Sequence, residues 1–249
     1  MALRPLTVTA RLRQGVAMTP PYDLDLAGIL AARVRAGEQS ALDSAGRLTR
    51  NPLPDTTGED PADLDLPLAR CGAAGDLWHW AASCATPHHR VEHQEPHTYF
   101  RSVDTDWARA ASTRPLPYFH PTSGPYRDSI IPAYITVTGA LVWRCIGDPH
   151  RVGALLAPIR WIGGKRAVGE GRVLSWHIEP VRVPARERHA WVHADEQGRL
   201  LRPVPPACAT PIQSDHPREE TWYAIRPPSW HRDRLHPLTG TIGGAEWAP

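Results

Sequence analysis

Four glycines, Gly163, Gly164, Gly169 and Gly171, fall within nine residues, and their surroundings limit the folds open to the chain. Upstream, Ala154-Leu155-Leu156-Ala157 continues a helical pattern. Downstream, Arg172 to Glu179 sets Val173, Ser175 and His177 against Leu174, Trp176 and Ile178, the alternation of a half-buried strand. Helix, glycine loop, strand reverses the dinucleotide-binding order, in which a strand enters the loop and a helix leaves it. A phosphate-cradling nucleotide loop is also excluded, because it needs Ser or Thr after the lysine and here Arg166 follows Lys165. What is left is a flexible basic loop, with Lys165 and Arg166 between the glycine pairs and Arg172 behind them. Glycine lets a backbone approach a ligand without a Cβ in the way, and bare amides beside cations suit a phosphodiester. The same residues also suit a surface turn with solvated charges, or a loop whose glycines serve folding.

The segments around this loop set the fold class. Tyr134 to Ile146 reads as one long strand bending near Gly139. Gly147-Asp148-Pro149 ends it, with Asp148 as N-cap of a helix to Ala157 that buries Val152, Leu155 and Leu156. Leu6 to Leu12 alternates as a first strand. Asp23 or Asp25 then caps a helix through Leu26, Ile29, Leu30 and Val34 that Gly37 stops. Gln39 to Pro61 reads as loop, Leu77 to Ser83 as strand, and residues 86–127 show little periodicity. The order through residue 179 is β-α-(insert)-β-β-α-β, an α+β chain with the ferredoxin-like (split βαβ, RRM-like) pattern. Residues 1–180 form this domain, with an insert at about 84–127. Residues 181–249 are a C-terminal extension: a hairpin from 190–193 and 200–204, a strand at Thr221 to His231, and an irregular tail.

The totals exclude several classes. The 249 residues carry a net charge of only +2 and are 41% hydrophobic, as expected of a soluble globular protein. There is no apolar run of membrane-spanning length, and Met1 to Pro5 leads into a strand without a signal core, so a cytoplasmic protein without a membrane partner is expected. Lys165 is the single lysine against 27 arginines. Between residues 86 and 127, Tyr99-Phe100-Arg101, Trp107, Arg109, Arg114, Tyr118-Phe119-His120 and Tyr126-Arg127 interleave rings with cations. Single-stranded nucleic acid is held that way, bases on rings and phosphates on arginines, although an insert could use those rings for packing alone. The cysteines, Cys71, Cys84, Cys145 and Cys208, form no close pair. Cys71, Cys84, His88 or His89, and His93 have spacings a zinc site could use, but no Cys-x-x-Cys knuckle supports them. Neither a metal nor a cofactor is expected.

A ferredoxin-like domain whose last strand follows a basic glycine-rich loop resembles the RAMP superfamily of CRISPR RNA-binding proteins. More closely, the chain resembles the Cas-five-type crRNA-binding subunit (third Csf protein) of type IV CRISPR effector complexes. The resembling residues are Pro5-Leu6-Thr7-Val8-Thr9-Ala10, Asp25 to Ala31, Asp65 to Ala69, Trp78 to Ser83, Gly124-Pro125-Tyr126-Arg127 and, above all, Ile162 to Val173. Arg226-Pro227-Pro228-Ser229-Trp230-His231 is similar to the family's C-terminal closing motif. The resemblance implies a non-catalytic subunit that holds the 5′ handle of the crRNA and caps a filament of backbone (Cas-seven-like) subunits. It also implies contact with the large-subunit-like protein, in defence against foreign nucleic acid, with target DNA as a further candidate partner. On that reading Gly163, Gly164, Gly169 and Gly171 bring the backbone to the RNA, and Lys165, Arg166 and Arg172 neutralise phosphates. Trp161 and Tyr126 are candidate stacking platforms, and Arg127 and Arg144 candidate phosphate or base-edge contacts.

Two other functions fit the residues. Some relatives in other CRISPR types cleave precursor crRNA without metal, using histidine as acid or base, and His88, His89, His120 and His177 are available for that. The loop could instead contact protein alone, making the chain an assembly module.

Overall fold

Strand β1 (Arg4–Leu12) is the centre of the molecule, a computed structural model that describes residues 2–18, 22–44, 63–72, 77–88, 93–102, 110, 128–166, 169–229 and 231–241. A two-residue β2 (Val16–Ala17) and helix α1 (Leu26–Ser44) follow, then the short β3 (Arg70–Cys71), β4 (His79–Trp80) and β5 (Thr86–Pro87). Next come β6 (His93–Arg101), β7 (Ser129–Val137), β8 (Ala140–Gly147), α2 (Pro149–Leu156) and β9 (Val173–Pro180). The extension holds α3 (Arg188–His193), α4 (Pro206–Ala209), β10 (Arg218–Ala224) and β11 (Leu235–Thr241).

The main sheet has the order β5-β8-β1-β9, and every neighbouring pair is antiparallel. The period of two sorts its faces. Leu6, Val8 and Ala10 stand opposite Cys145, Trp143 and Leu141 of β8, and Val8 and Ala10 also oppose Ile178 and Trp176 of β9. This face packs against Leu26 and Leu30 of α1 and Val152 and Leu156 of α2. Trp143 is fully buried and its indole N–H donates to the Leu24 carbonyl at 2.7 Å, so its polar atom is satisfied where the ring contributes roughly 3 kcal/mol. The Asp148 side chain accepts from the backbone N–H groups of His150 and Arg151, at 2.9 and 3.1 Å, which starts α2 as its sequence requires. Those two bonds hold the Asp148 carboxyl below its usual pKa, the Arg151 N–H more than the His150 N–H.

Several elements differ from expectation. The expected strand from Tyr134 to Ile146 is two strands in two sheets, since β7 ends at Val137 and belongs to the order β2-β7-β6. Both halves are β-branched and apolar, so Gly139 reads in sequence as a bend within one strand, where the structure changes sheet. β6 pairs with β7 along its whole length inside a stretch that reads as irregular. It is an edge strand, where Pro96 is tolerated. Helix α1 passes Gly37 and ends at Ser44, because one glycine costs only about 1 kcal/mol. The expected strand at 77–83 is reduced to β4 and an isolated bridge from Ala82 to Cys145.

The extension also departs. Residues 190–193 are helical rather than half of a hairpin, and one bridge, Ala194 to Leu200, closes the turn after them. The tail contains β11, paired with β10 from Arg218↔Thr241 to Ala224↔Leu235. Arginines fasten this part to the body. Arg226 and Arg234 donate to the same Asp63 oxygen at 2.9 and 2.7 Å, and the Arg226 guanidinium lies 4.6 Å from the Trp78 ring centre. Arg202 is buried, donates to the carbonyls of Ala82 and Ile225, and lies 3.5 Å from Asp25. Buried charges placed this way are costly to leave alone, so removing one partner loosens the joint. Among the described residues no helix is long and apolar enough to cross a membrane.

Candidate nucleic-acid interface

The glycine loop leaves α2, runs along β2 and enters β9. Its backbone is fixed by backbone: the Gly164 N–H donates to Ala17 O at 2.9 Å, Gly171 N–H to Gly15 O at 3.0 Å, and Arg13 N–H to Arg172 O at 3.0 Å. The loop also closes on itself, with Ile162 N–H on Gly171 O at 3.0 Å and a bridge from Trp161 to Arg172. Two of the glycines are required by this packing. Gly163 has φ +76°, and a Cβ there would lie 2.6 Å from Val16 Cγ2 and 2.7 Å from Ala17 O. Gly171 has φ +71°, and a Cβ would enter the Ile162 carbonyl oxygen. These two therefore bring the loop to its own chain. Gly169 also takes a positive φ, whereas Gly164 does not.

With the backbone held, the side chains divide. Arg166 and Arg172 are exposed, and Arg172 lies 5.9 Å from the ring centre of Trp161, itself 37% exposed. Lys165 is half-buried in a left-handed conformation (φ 53°), with its ammonium 5.1 Å from the Tyr99 ring centre. Tyr99 comes from β6, and its hydroxyl donates to Glu170 at 3.2 Å. Desolvation, then the Glu170 charge, raises the Tyr99 pKa. Tyr99 and the buried carboxylate of Glu170 thus dock the insert hairpin onto the loop. Tyr99 was visible in sequence only as one ring among many, and Glu170 gave no signal. The opposite face of that hairpin exposes Phe100, Ile130 and Tyr134.

Of the sequence candidates, Trp161, Gly163, Gly164, Lys165, Arg166, Gly169, Gly171 and Arg172 thus share one loop. Tyr126 and Arg127 lie outside the described residues, as do His89 and His120. Arg144 stands apart, opposite Thr7, whereas the loop enters the sheet at the level of Leu12. Its guanidinium donates to the carbonyls of Trp191 and Ala194 at 3.2 and 3.0 Å and pairs with Glu196. In the free chain these contacts make Arg144, expected as a phosphate or base-edge contact, an anchor for α3. His177 is exposed on β9, its Nε2 3.1 Å from Ser175 Oγ, and His88 is exposed beyond β5.

Of the zinc set suggested by spacing, His89 and the His93 side chain lie outside the described residues, and Cys71 and Cys84 have different partners. Cys84 is buried with its sulfur 3.4 Å from the Tyr223 hydroxyl, and burial pushes its thiol up to about 12. Cys71 instead meets His79, His193 and Cys208, whose donor atoms lie within 4.8 Å of one another.

The described residues thus form a mixed α/β body with mostly antiparallel sheets, in which a backbone-pinned glycine loop leaves Arg166 and Arg172 exposed, Arg172 beside Trp161. Residues 4–239 match the family described as CRISPR type IV associated protein Csf3. The chain belongs to that family and is a type IV CRISPR-associated component, which implies an effector complex with other Csf subunits. No curated protein matches it.

Proposed function

We propose that the chain is the non-catalytic RNA-binding subunit of a type IV CRISPR ribonucleoprotein, holding the crRNA 5′ handle and capping the backbone filament. Strand order β5-β8-β1-β9, all antiparallel, supports a ferredoxin-like, RAMP-type reading, because β-α-β-β-α-β connectivity gives that order when the insert separates β5 from β8. The observation that carries the function is the loop itself. Three hydrogen bonds to the β1–β2 region hold its backbone while Arg166 and Arg172 are exposed, Arg172 beside Trp161. A fixed backbone presenting mobile-tipped cations loses little ordering entropy when it takes a phosphate chain. Lys165 can exchange its half-buried ring contact for a phosphate, since such a cation–π contact contributes only about 1 kcal/mol.

The test is binding of a repeat-derived RNA to the full chain by fluorescence anisotropy over a salt series. K165E/R166E is expected to weaken binding at least about tenfold and to flatten the log K against log salt slope by about 1.4, two single-strand phosphate contacts. Unchanged affinity and slope would leave a protein-only assembly module. Incubation of the same RNA with the protein in EDTA is expected to leave it uncut; a specific cut abolished by H177A would make the chain a metal-independent endoribonuclease.

A further inference from the structure

We infer that Cys71, His79, His193 and Cys208 bind a structural zinc ion that fastens the C-terminal extension to the body. The four come from three places. Cys71 and His79 are directly opposite each other in the β3–β4 pair, which puts both side chains on one face of that ribbon. His193 is the last residue of α3, and Cys208 lies within α4. His79, His193 and Cys208 are buried, and Cys71 is half-buried.

The distances are those of a tetrahedron. With Zn–S near 2.3 Å and Zn–N near 2.05 Å, tetrahedral angles place two sulfurs about 3.8 Å apart and two nitrogens about 3.3 Å apart. The Cys71 and Cys208 sulfurs are 3.7 Å apart, and the Nε2 atoms of His79 and His193 are 3.4 Å apart. All four donors fall within 4.8 Å of one another. Two thiolates and two neutral imidazoles also cancel the charge of a divalent ion, and a closed Cys2His2 set without an open position is a structural zinc arrangement.

A plain hydrogen-bonded plug explains the cluster less well. Among the described residues the Nδ1 atom of His193 is buried without a hydrogen-bond partner, so that ring has only its Nε2 side from which to recover the cost of burial. Facing nitrogen to nitrogen, the two rings can share at most one proton there. A cation at the point where the lone pairs and sulfurs converge satisfies all four groups at once. His189 lies one layer out: its ring nitrogen approaches the Cys208 carbonyl at 2.8 Å, and its other nitrogen is 3.9 Å from the Cys71 sulfur. It is therefore a positioning residue for the two cysteines.

The experiment uses the full chain expressed in zinc-supplemented medium and purified without chelator. Elemental analysis is expected to find about one zinc per chain. After chelator stripping, Co2+ is expected to give thiolate-to-metal charge transfer in the near ultraviolet and the intense visible bands of a tetrahedral site. C71S/C208S abolishes both signals, C84A/C145A keeps both, and zinc removal lowers the melting temperature by several degrees. Wild-type protein with less than about a tenth of an equivalent of zinc and no cobalt charge-transfer band overturns the inference, as does full metal content in folded C71S/C208S. A Cys71–Cys208 disulfide in place of metal overturns it equally. If C71S/C208S fails to fold, the wild-type cobalt spectrum, which reports sulfur ligation directly, decides alone.

Discussion

Two regions of the molecule use arginine in opposite ways. In the glycine loop, backbone amides and carbonyls complete one another, and Arg166 and Arg172 are left exposed. At the joint between body and extension, guanidinium groups complete the backbone instead. Arg144 serves the carbonyls of Trp191 and Ala194, and Arg202 those of Ala82 and Ile225. The lesson is that cation content alone does not locate a binding surface in a chain with 27 arginines. A cation is available to a ligand where the surrounding peptide groups are already paired.

The sharpest way to break this comparison is to disturb the loop's pairing without touching a charge. Gly171→Ala forces a Cβ into the Ile162 carbonyl at φ +71°. Loss of about 3 kcal/mol in urea unfolding is expected, with RNA binding falling as the loop lifts from β2. A stable G171A protein would mean that the loop is not held as described. Next in size, Arg144→Ala strips partners from two carbonyls and is expected to cost about 2 kcal/mol, with unchanged affinity for RNA once folded. If R144A kept its stability and lost RNA, the two regions would share one role.

What sequence revealed follows the same division. β1 and α2 were legible because each buries one face against the core, which imposes period two or 3.6 on Leu6 to Leu12 and Val152 to Leu156. β9 was legible only in part: Trp176 and Ile178 pack on the core as its alternation requires, but a register shift at Arg11-Leu12 buries Val173 and leaves Leu174 exposed, the reverse of what the alternation predicts. β6 was not, because Thr98 and Phe100 on one side of it are exposed, so no apolar alternation marks its run. The loop's residues were legible as a group, since the glycines and cations are contiguous. The roles of Gly163 and Gly171 were not, because their neighbours, Val16, Ala17 and Ile162, meet them only after folding. The Cys/His cluster was hidden by distance along the chain: His79 and His193 are 114 residues apart, and Cys71 and Cys208 are 137 apart. Only the Cys71–His79 pair across a hairpin had a local signature.

A smaller test probes how the insert is docked. Tyr99→Phe keeps the ring under Lys165 and removes the hydroxyl that Glu170 accepts from. The buried carboxylate then loses that donor, and a loss of about 1 kcal/mol is expected in urea unfolding. Affinity for RNA should stay within twofold, because neither exposed arginine moves. A large loss of binding in Y99F would place the hairpin, rather than the loop, at the RNA.

The smallest expected change separates folding from recognition. Gly164 has no positive φ, and a Cβ on it would meet Ala17 Cβ and O at 3.6 Å, ordinary contact distance. Gly164→Ala should therefore leave stability within about 0.5 kcal/mol, unlike the same change at Gly171. Its effect on RNA can then come only from the outer side of the loop. If a ribose-phosphate chain lies against the Gly164 backbone, one added methyl displaces it and affinity falls while the melting temperature holds. If affinity also holds, the phosphates are reached by the long side chains alone. The glycines of this loop would then be a device for folding, and the cations would contact RNA from a distance that no backbone approach sets.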